Sequence, residues 1–357
     1  MPRVALLCSG LGNVFRGHEA FARGLIDLLG DDVDLTVFKG GGTPTAREIV
    51  LPHVRRDAQG LADIKLPVSP KWLASEAGQE RMRIENESFA WAALGPLLEG
   101  DFDVIHTLDR DTCNVLWGLR HLFRRTPRLL FSNGGAMPAR ALPRCDFVQE
   151  HTAHNLKFSA RGKSFLIPHG VDLQQFSPGP PSTLRQRLGI APEAKVLVCV
   201  GTICYWHKRT DHVIREVAAA RTPWHLLAVG QEDPDTPAIK ALGAQLLGER
   251  VHFLTLPHRE LPDAYAAADA FVLGSLFETF GIAYIEAMAM GLPVISTDHP
   301  NQRGIVQEGG LYVDMKRPGA LAALLSQPDW SAWAAVGRKG RAIVEAQYDL
   351  RVLKRQY

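Results

Sequence analysis

Gly274-Ser275-Leu276-Phe277-Glu278-Thr279-Phe280-Gly281-Ile282-Ala283-Tyr284-Ile285-Glu286-Ala287-Met288-Ala289-Met290-Gly291-Leu292-Pro293 decides how the chain is read. The residues just before it, Ala270–Leu273, form a short apolar run of the kind covered on both faces of a parallel sheet. Gly281–Met290 reads as a helix, and Gly291 stops it. Pro293–Ser296 then reads as a second strand. A strand, a helix and another strand in close succession specify a parallel crossover unit.

The same alternation extends in both directions. Toward the N-terminus, Val4–Cys8 reads as a buried strand rather than a secretory leader, and it ends in Ser9-Gly10-Leu11-Gly12-Asn13. Phe21, Leu25, Leu28 and Leu29 then share one helical stripe. Asp34–Phe38 is a second strand, closed by Gly40-Gly41-Gly42. Residues 72–99 read as a helix with Trp72, Leu73, Trp91, Leu94 and Leu97 as core contacts. Asp103–Leu108, Arg128–Phe131 and Phe147–Gln149 read as later strands. In the other half the strands are Val196–Val200, Trp224–Val229 and Val251–Leu254, with a short helix at Leu261–Ala268. Asp211 is the expected cap of the helix carrying Val213, Ile214 and Val217.

Two such runs specify an α/β protein with two doubly wound, Rossmann-like parallel-sheet domains. The Pro- and Gly-rich stretch Ile167–Pro181 is the expected hinge. It divides residues 1–168 from residues 169–339, with about 340–357 assigned to the first domain by the family resemblance given below. Trp330 to Tyr357 reads as a terminal helix with a charged face.

Composition narrows the function classes. The chain has 357 residues, 46% hydrophobic and 22% charged, with a net charge of +2, so neither a disordered chain nor a strongly basic nucleic-acid binder is indicated. That charge argues neither for nor against a nucleic-acid partner, and none is expected. No apolar run approaches the ~20 residues of a membrane-spanning helix. Five scattered cysteines with no C-x-x-C pair suit free thiols in a reducing cytoplasm better than a disulfide framework or a zinc site. The basic stretch Arg120-His121-Leu122-Phe123-Arg124-Arg125-Thr126-Pro127-Arg128 reads first as a solvated helix end. Its sharper reading is peripheral contact with anionic lipid.

The chemistry concentrates where the quoted stretch turns from strand to helix. Glu278 falls in the loop and Glu286 about two turns into the helix. Between them, the amides of Phe280, Gly281 and Ile282 open the helix. A helix N-terminus carries unpaired N–H donors and about half a positive charge, which suits a diphosphate. Gly281 lets a ligand approach the backbone. Glu286 can accept two hydroxyls of a ribose diol, and Glu278 those of a sugar.

Here the sequence resembles the retaining glycosyltransferases of family 4, which have the two-domain GT-B fold. The resemblance rests on E-x(7)-E with Phe280-Gly281 after the first Glu, followed by Glu286-Ala287-Met288-Ala289-Met290-Gly291-Leu292-Pro293. It implies that the two domains face across a cleft, with the terminal helix crossing back to the first. It implies that Glu278 lies against the transferred sugar and that Glu286 holds the ribose. Ile167-Pro168-His169-Gly170-Val171-Asp172 resembles the family's interdomain linker, with His169 in place of Asn. Lys208 stands where the family has a Lys that grips the donor diphosphate, whereas Thr202 stands where it usually has Arg. Arg209 is the candidate to supply the missing charge. On this reading Lys208, Glu278 and Arg209 carry catalysis, and Gly12, Thr202, Phe280, Gly281, Ile282 and Glu286 complete the donor site.

The first half carries softer signals. Gly10-Leu11-Gly12 resembles the family's glycine loop, while residue 15 is Phe rather than the Gly of a nicotinamide fingerprint. Where many members carry His-Gly, this chain has Asn133-Gly134. Gly10, Asn13, Asn133 and His106 are the acceptor-side candidates, and no general base is assigned. His18, His151 and His154 stand near strand ends, where a histidine is more often a packing or capping residue.

The resemblance implies transfer of a sugar from a nucleotide-diphosphate donor to an acceptor hydroxyl, with retention at the anomeric carbon. The acceptor class is left open among saccharides, lipid-linked groups and small molecules. No metal and no other cofactor is expected, because Asp233-Pro234-Asp235 sits in a loop interrupted by proline. Two other readings stay open: a catalytically silent sugar-nucleotide-binding protein, and a sugar-nucleotide epimerase of the same architecture. Thr202 and Asn133 favour the silent protein.

Overall fold

The computed structural model describes the chain except residues 15, 16, 31, 63, 65–72 and 181. Trp72 therefore lies outside the described residues. The chain divides into two compact units, residues 1–167 with Tyr357 and residues 168–356. Of the segment 340–357 expected to join the first domain, Tyr357 does so and the rest groups with the second unit.

The first unit is a seven-stranded sheet. Its strands are β1 (Arg3–Cys8), β2 (Asp34–Lys39), β3 (Glu48–Val50), β4 (Val104–Thr107), β5 (Arg128–Ser132), β6 (Phe147–Glu150) and β7 (Ser164–Leu166). Their order is β3-β2-β1-β4-β5-β6-β7, and every neighbour pair is parallel. The second unit is a six-stranded sheet of β8 (Lys195–Val200), β9 (Trp224–Val229), β10 (Val251–Leu254), β11 (Ala270–Val272), β12 (Val294–Thr297) and β13 (Gly310–Val313). Its order is β10-β9-β8-β11-β12-β13, again all parallel. These are the two Rossmann-like α/β sheets that the alternation specified. The crossovers reverse between β1 and β4 in the first sheet and between β8 and β11 in the second. At such a reversal the two strand-end loops diverge and leave a crevice where ligands bind.

Burial explains the strands. Ala5, Leu6, Leu7 and Cys8 are all buried, as are Val196 to Val200, because helices cover both faces. The second core gathers Trp224, Tyr265, Phe271, Phe280 and Tyr284, and full burial of each apolar ring contributes about 1.5–3 kcal/mol. Trp224 keeps its polar edge satisfied by donating Nε1–H to the Leu325 carbonyl at 2.9 Å.

Two expectations need correction, and three strands carried none. The helix Leu73–Gly100 buries Phe89, Ala90, Ala93 and Leu97 on one stripe, so Trp91 falls out of phase and is 58% exposed. The helix Thr210–Ala219 is preceded by Arg209 in the left-handed region at φ 49°, and Asp211 sits in its first turn rather than at its cap. The strands β3, β7 and β13, each three or four residues long, have no counterpart in the sequence reading.

Candidate active site

The loops after β8 and β11 flank the reversal in the second sheet, and they bring Lys208 and Glu278 together. Gly201 stands at φ 152°, and a Cβ there would lie 2.8 Å from Lys208 Cε. The missing side chain is therefore what lets the lysine stem run past β8 toward the site. Lys208 Nζ donates to Glu278 Oε1 at 2.6 Å. Ser275 Oγ donates to the same oxygen at 2.5 Å. His207 Nε2 meets Glu278 Oε2 at 3.1 Å. Glu278 is 4% exposed. Burial alone would push its pKa up, but the Lys208 ammonium and His207 outweigh that and bring it down to about 2.

The Glu278 backbone is fixed as firmly. Asn301 Nδ2 and Gln302 Nε2, both fully buried, donate to its carbonyl at 2.7 and 2.8 Å. The next turn is the helix Ile282–Ala289, capped by Gly281 in the left-handed region at φ 80°. A Cβ at Gly281 would come within 2.7 Å of the Tyr284 ring. Phe280 is buried, its ring edge-to-face with His169 at 4.9 Å. The linker histidine thus braces the residue that opens the helix.

Glu286 occupies the buried face of that helix. His258 Nε2 lies 2.8 Å from its Oε1, and Tyr265 donates its hydroxyl to Oε2 at 2.7 Å. The hydrogen bond to Glu286 raises the pKa of His258. Burial, and then the Glu286 charge, push the Tyr265 phenol well above its ordinary value. His207, His258, Tyr265 and Ser275 are the partners that sequence reasoning missed. They come from separate loops and helices, and the only signal for them was that a carboxylate buried in the crevice needs partners.

The remaining donor-side candidates divide. Thr202 is half-buried in the loop after β8. Arg209 turns inward and donates Nη1–H to the carbonyls of Gly274 at 3.2 Å and Met315 at 2.7 Å. This ties the two loops together and occupies one end of the guanidinium. Asp233 and Asp235 hold their own loop. Asp233 Oδ1 accepts from the Asp235 amide at 3.3 Å, and Asp235 Oδ2 accepts from the Tyr205 amide at 3.4 Å. Among the described residues no three His, Cys, Asp or Glu side chains converge as metal ligands would.

In the first unit the nominated residues have partners within the fold. Gly12 has φ 89°, and a Cβ there would lie 2.2 Å from the Gly41 carbonyl oxygen. A Cβ at Gly10 would collide with the Glu19 carboxylate. Asn13 donates to the Gly40 carbonyl at 2.8 Å. Asn133 is 1% exposed, and both ends of its amide are engaged. Nδ2 donates to the Met137 carbonyl and to Glu150 Oε1, while Oδ1 accepts from the Met137 amide. His106 is buried with Nε2 2.7 Å from Ser132 Oγ, and burial lowers its pKa to about 4. Burial likewise lowers His151, to about 3. His18 differs, being only half-buried and 3.4 Å from Asp109.

The basic stretch is largely paired. Arg120 and Arg128 face Asp146 at 3.6 and 3.7 Å, and Arg125 reaches Asp103 at 2.5 Å. All five cysteines are buried free thiols. No described helix is long and apolar enough to cross a membrane.

Comparison with known proteins agrees with this fold. Residues 194–327 match the family model described as Glycosyl transferases group 1. The chain is 33% identical over 198 residues to a D-inositol 3-phosphate glycosyltransferase of Frankia alni, a match covering 50% of this chain and 48% of that protein. It is 29% identical over 226 residues to a GDP-mannose-dependent monoacylated alpha-(1-6)-phosphatidylinositol monomannoside mannosyltransferase of Corynebacterium glutamicum, covering 58% of each. The chain thus spans about half the length of these curated relatives. Its fold is similar to that of sucrose-phosphate synthase from Thermosynechococcus elongatus, with TM-score 0.79 and 22% identity over 100% of this chain and 97% of that one. It is also similar to Anabaena HepE in complex with UDP and glucose, with TM-score 0.77 and 17% identity over 100% and 98%. Two Rossmann-like sheets of GT-B type, a glycosyl transferases group 1 match over most of the second unit and the Glu278–Glu286 site together make this chain one that resembles the glycosyltransferases of family 4.

Proposed function

We propose that the protein transfers a sugar from a nucleotide-diphosphate donor to an acceptor hydroxyl, with retention at the anomeric carbon and without a metal ion. The observation that carries this reading is the Lys208–Glu278 pair beside the amides that open the helix Ile282–Ala289. One positive side chain, a helix N-terminus and a fixed carboxylate are the groups a sugar diphosphate needs: charge for the phosphates and acceptors for the hydroxyls.

In the proposed reaction the bond from the anomeric carbon to the phosphate oxygen breaks. Lys208 and the amides of Phe280, Gly281 and Ile282 take up the charge that develops on that oxygen. The acceptor oxygen bonds to the same face of the anomeric carbon, and its proton passes to the departing phosphate. Glu278, kept ionised by Lys208 and His207, orients the transferred sugar. Glu286, held by Tyr265 and His258, receives the ribose hydroxyls. Asp233 and Asp235, already committed to backbone amides, have no part in it. HepE binds UDP and UDP-glucose in its solved complexes, which supports a donor of this class here. Several relatives act on inositol phosphates, which supports a hydroxyl-rich acceptor.

Thr202 favours a second reading, a silent sugar-nucleotide binder, because one positive contact to the diphosphate is missing. One assay separates the readings: incubation with a panel of UDP- and GDP-sugars, with and without acceptor mixtures, analysed for released nucleotide and new glycoside. Release of nucleoside diphosphate with a glycoside of unchanged anomeric configuration is the expected result. Binding without turnover would favour the silent protein, and an isomerised donor in the absence of acceptor would favour an epimerase.

A further inference from the structure

The loop from β8 to Lys208 carries Tyr205-Trp206-His207; His207 pairs with Glu278, while the rings of Tyr205 and Trp206 have no task in the reaction proposed above. Trp206 is 73% exposed and Tyr205 38%. A large aromatic ring left in water forgoes the stabilisation that burial would give it. Its setting is specific. One face of the indole stacks on the His207 imidazole, with centroids 5.1 Å apart and planes 30° apart. His207 in turn touches Glu278 Oε2 at 3.1 Å. Indole, imidazole and carboxylate therefore form a continuous series from open solvent to the buried acid of the site. The His207 imidazole is the one ring between the indole and the Glu278 carboxylate in this series.

We propose that Trp206 is a stacking platform for a pyranose ring bound beside Glu278. The chemistry is complementary. An indole face is apolar and carries the negative lobe of the ring quadrupole, and a pyranose presents polarised C–H groups on one face and hydroxyls around its edge. The C–H face rests on the indole face that His207 leaves open, and an edge hydroxyl reaches past the ring edge toward the Glu278–His207 pair. His207 orients both by holding the indole on one side and the carboxylate on the other. The inference rests on the proposed function and names a substrate-recognition residue for it. The ring it stacks is either the donor's sugar or the acceptor's, and the experiment separates the two.

The experiment is calorimetric titration of the full chain and its Trp206→Ala and Trp206→Phe variants. One arm compares UDP-glucose and GDP-mannose with bare UDP and GDP. A second arm adds methyl glucoside or methyl mannoside to protein saturated with the nucleotide. Trp206→Ala is expected to lose roughly three- to tenfold in sugar-dependent affinity, with bare-nucleotide affinity unchanged and Trp206→Phe retaining most of it. A loss in the first arm assigns the platform to the donor sugar, and a loss in the second assigns it to the acceptor. Unchanged affinity in both arms overturns the platform while leaving the proposed function standing. A wild-type chain that binds no sugar nucleotide overturns both. Because Trp206 is exposed, thermal unfolding of Trp206→Ala should match the wild type, so a fall in affinity reports a lost contact rather than misfolding.

Discussion

Lys208 Nζ and Glu278 Oε1 stand 2.6 Å apart although 70 positions separate them in the chain. They meet because β8 and β11 are neighbours at the one place where the second sheet reverses its winding. The pair keeps a buried carboxylate ionised and places an ammonium group beside a helix N-terminus.

Removing the ammonium should therefore remove stabilisation of the leaving group. Lys208→Ala is expected to lower kcat for transfer by about 10²–10³-fold, the usual cost of deleting a preorganised charge-stabilising donor. Initial rates at saturating donor provide the check. A variant within a few-fold of wild type would mean that the lysine only holds Glu278.

The low pKa of Glu278 has a consequence for stability. Its folded value of about 2 lies below the ordinary Glu value of about 4.3. A depressed folded pKa contributes stability above the unfolded pKa, and that contribution fades as pH falls from about 4.3 toward about 2. Urea unfolding of the wild type between pH 5 and 3 should show this loss, and Glu278→Gln should flatten it.

His258 works with the opposite sign. Glu286 raises its folded pKa, so its contribution is complete below the unfolded value of about 6.5 and is lost as pH rises through the folded value. Histidine resonances followed by NMR should place His258 above an ordinary histidine. Glu286→Gln should bring it down.

Arg209 tests whether a second cation serves the diphosphate. Its Nη1 bonds to Gly274 and Met315 tie two loops, so Arg209→Ala should cost about 1–3 kcal/mol of stability. Donor affinity should change less than in Lys208→Ala. Denaturant midpoints and donor titration on the same samples compare the two roles. A stable variant with severely weakened donor binding would assign Arg209 to the phosphates instead.

Gly281 is required for its backbone. At φ 80°, with the Tyr284 ring 2.7 Å from any added Cβ, Gly281→Ala meets both strain and collision. A loss of roughly 1–3 kcal/mol in unfolding free energy is expected. A neutral substitution would show that the helix can open in another conformation.

The sheets were legible because strands buried on both faces are continuous apolar runs, and Val4–Cys8, Val196–Val200 and Trp224–Val229 advertise themselves that way. The Glu278–Glu286 segment was legible because loop, glycine and helix are contiguous in sequence. What stayed hidden depends on long-range geometry. Nothing local pairs His207 with Glu278, or Tyr265 and His258 with Glu286. Asn133 is an acceptor-side candidate because it stands where many members of the resembled family carry His, and its amide closes a turn on Met137 and bonds Glu150. His106 is a candidate by its strand-end position alone and is bonded to Ser132 inside the sheet. A strand-end position identifies the ligand-facing edge of a sheet, whereas the direction of a side chain there is set by neighbours from other strands.

The most direct test is a crystal structure of the chain soaked with a sugar nucleotide. The pyrophosphate should lie within hydrogen-bonding distance of Lys208 Nζ and the amides of Phe280 to Ile282, with the ribose on Glu286 and the sugar against Glu278. A donor lodged elsewhere in the second unit, with the Lys208–Glu278 pair undisturbed and its surroundings empty, would contradict the account.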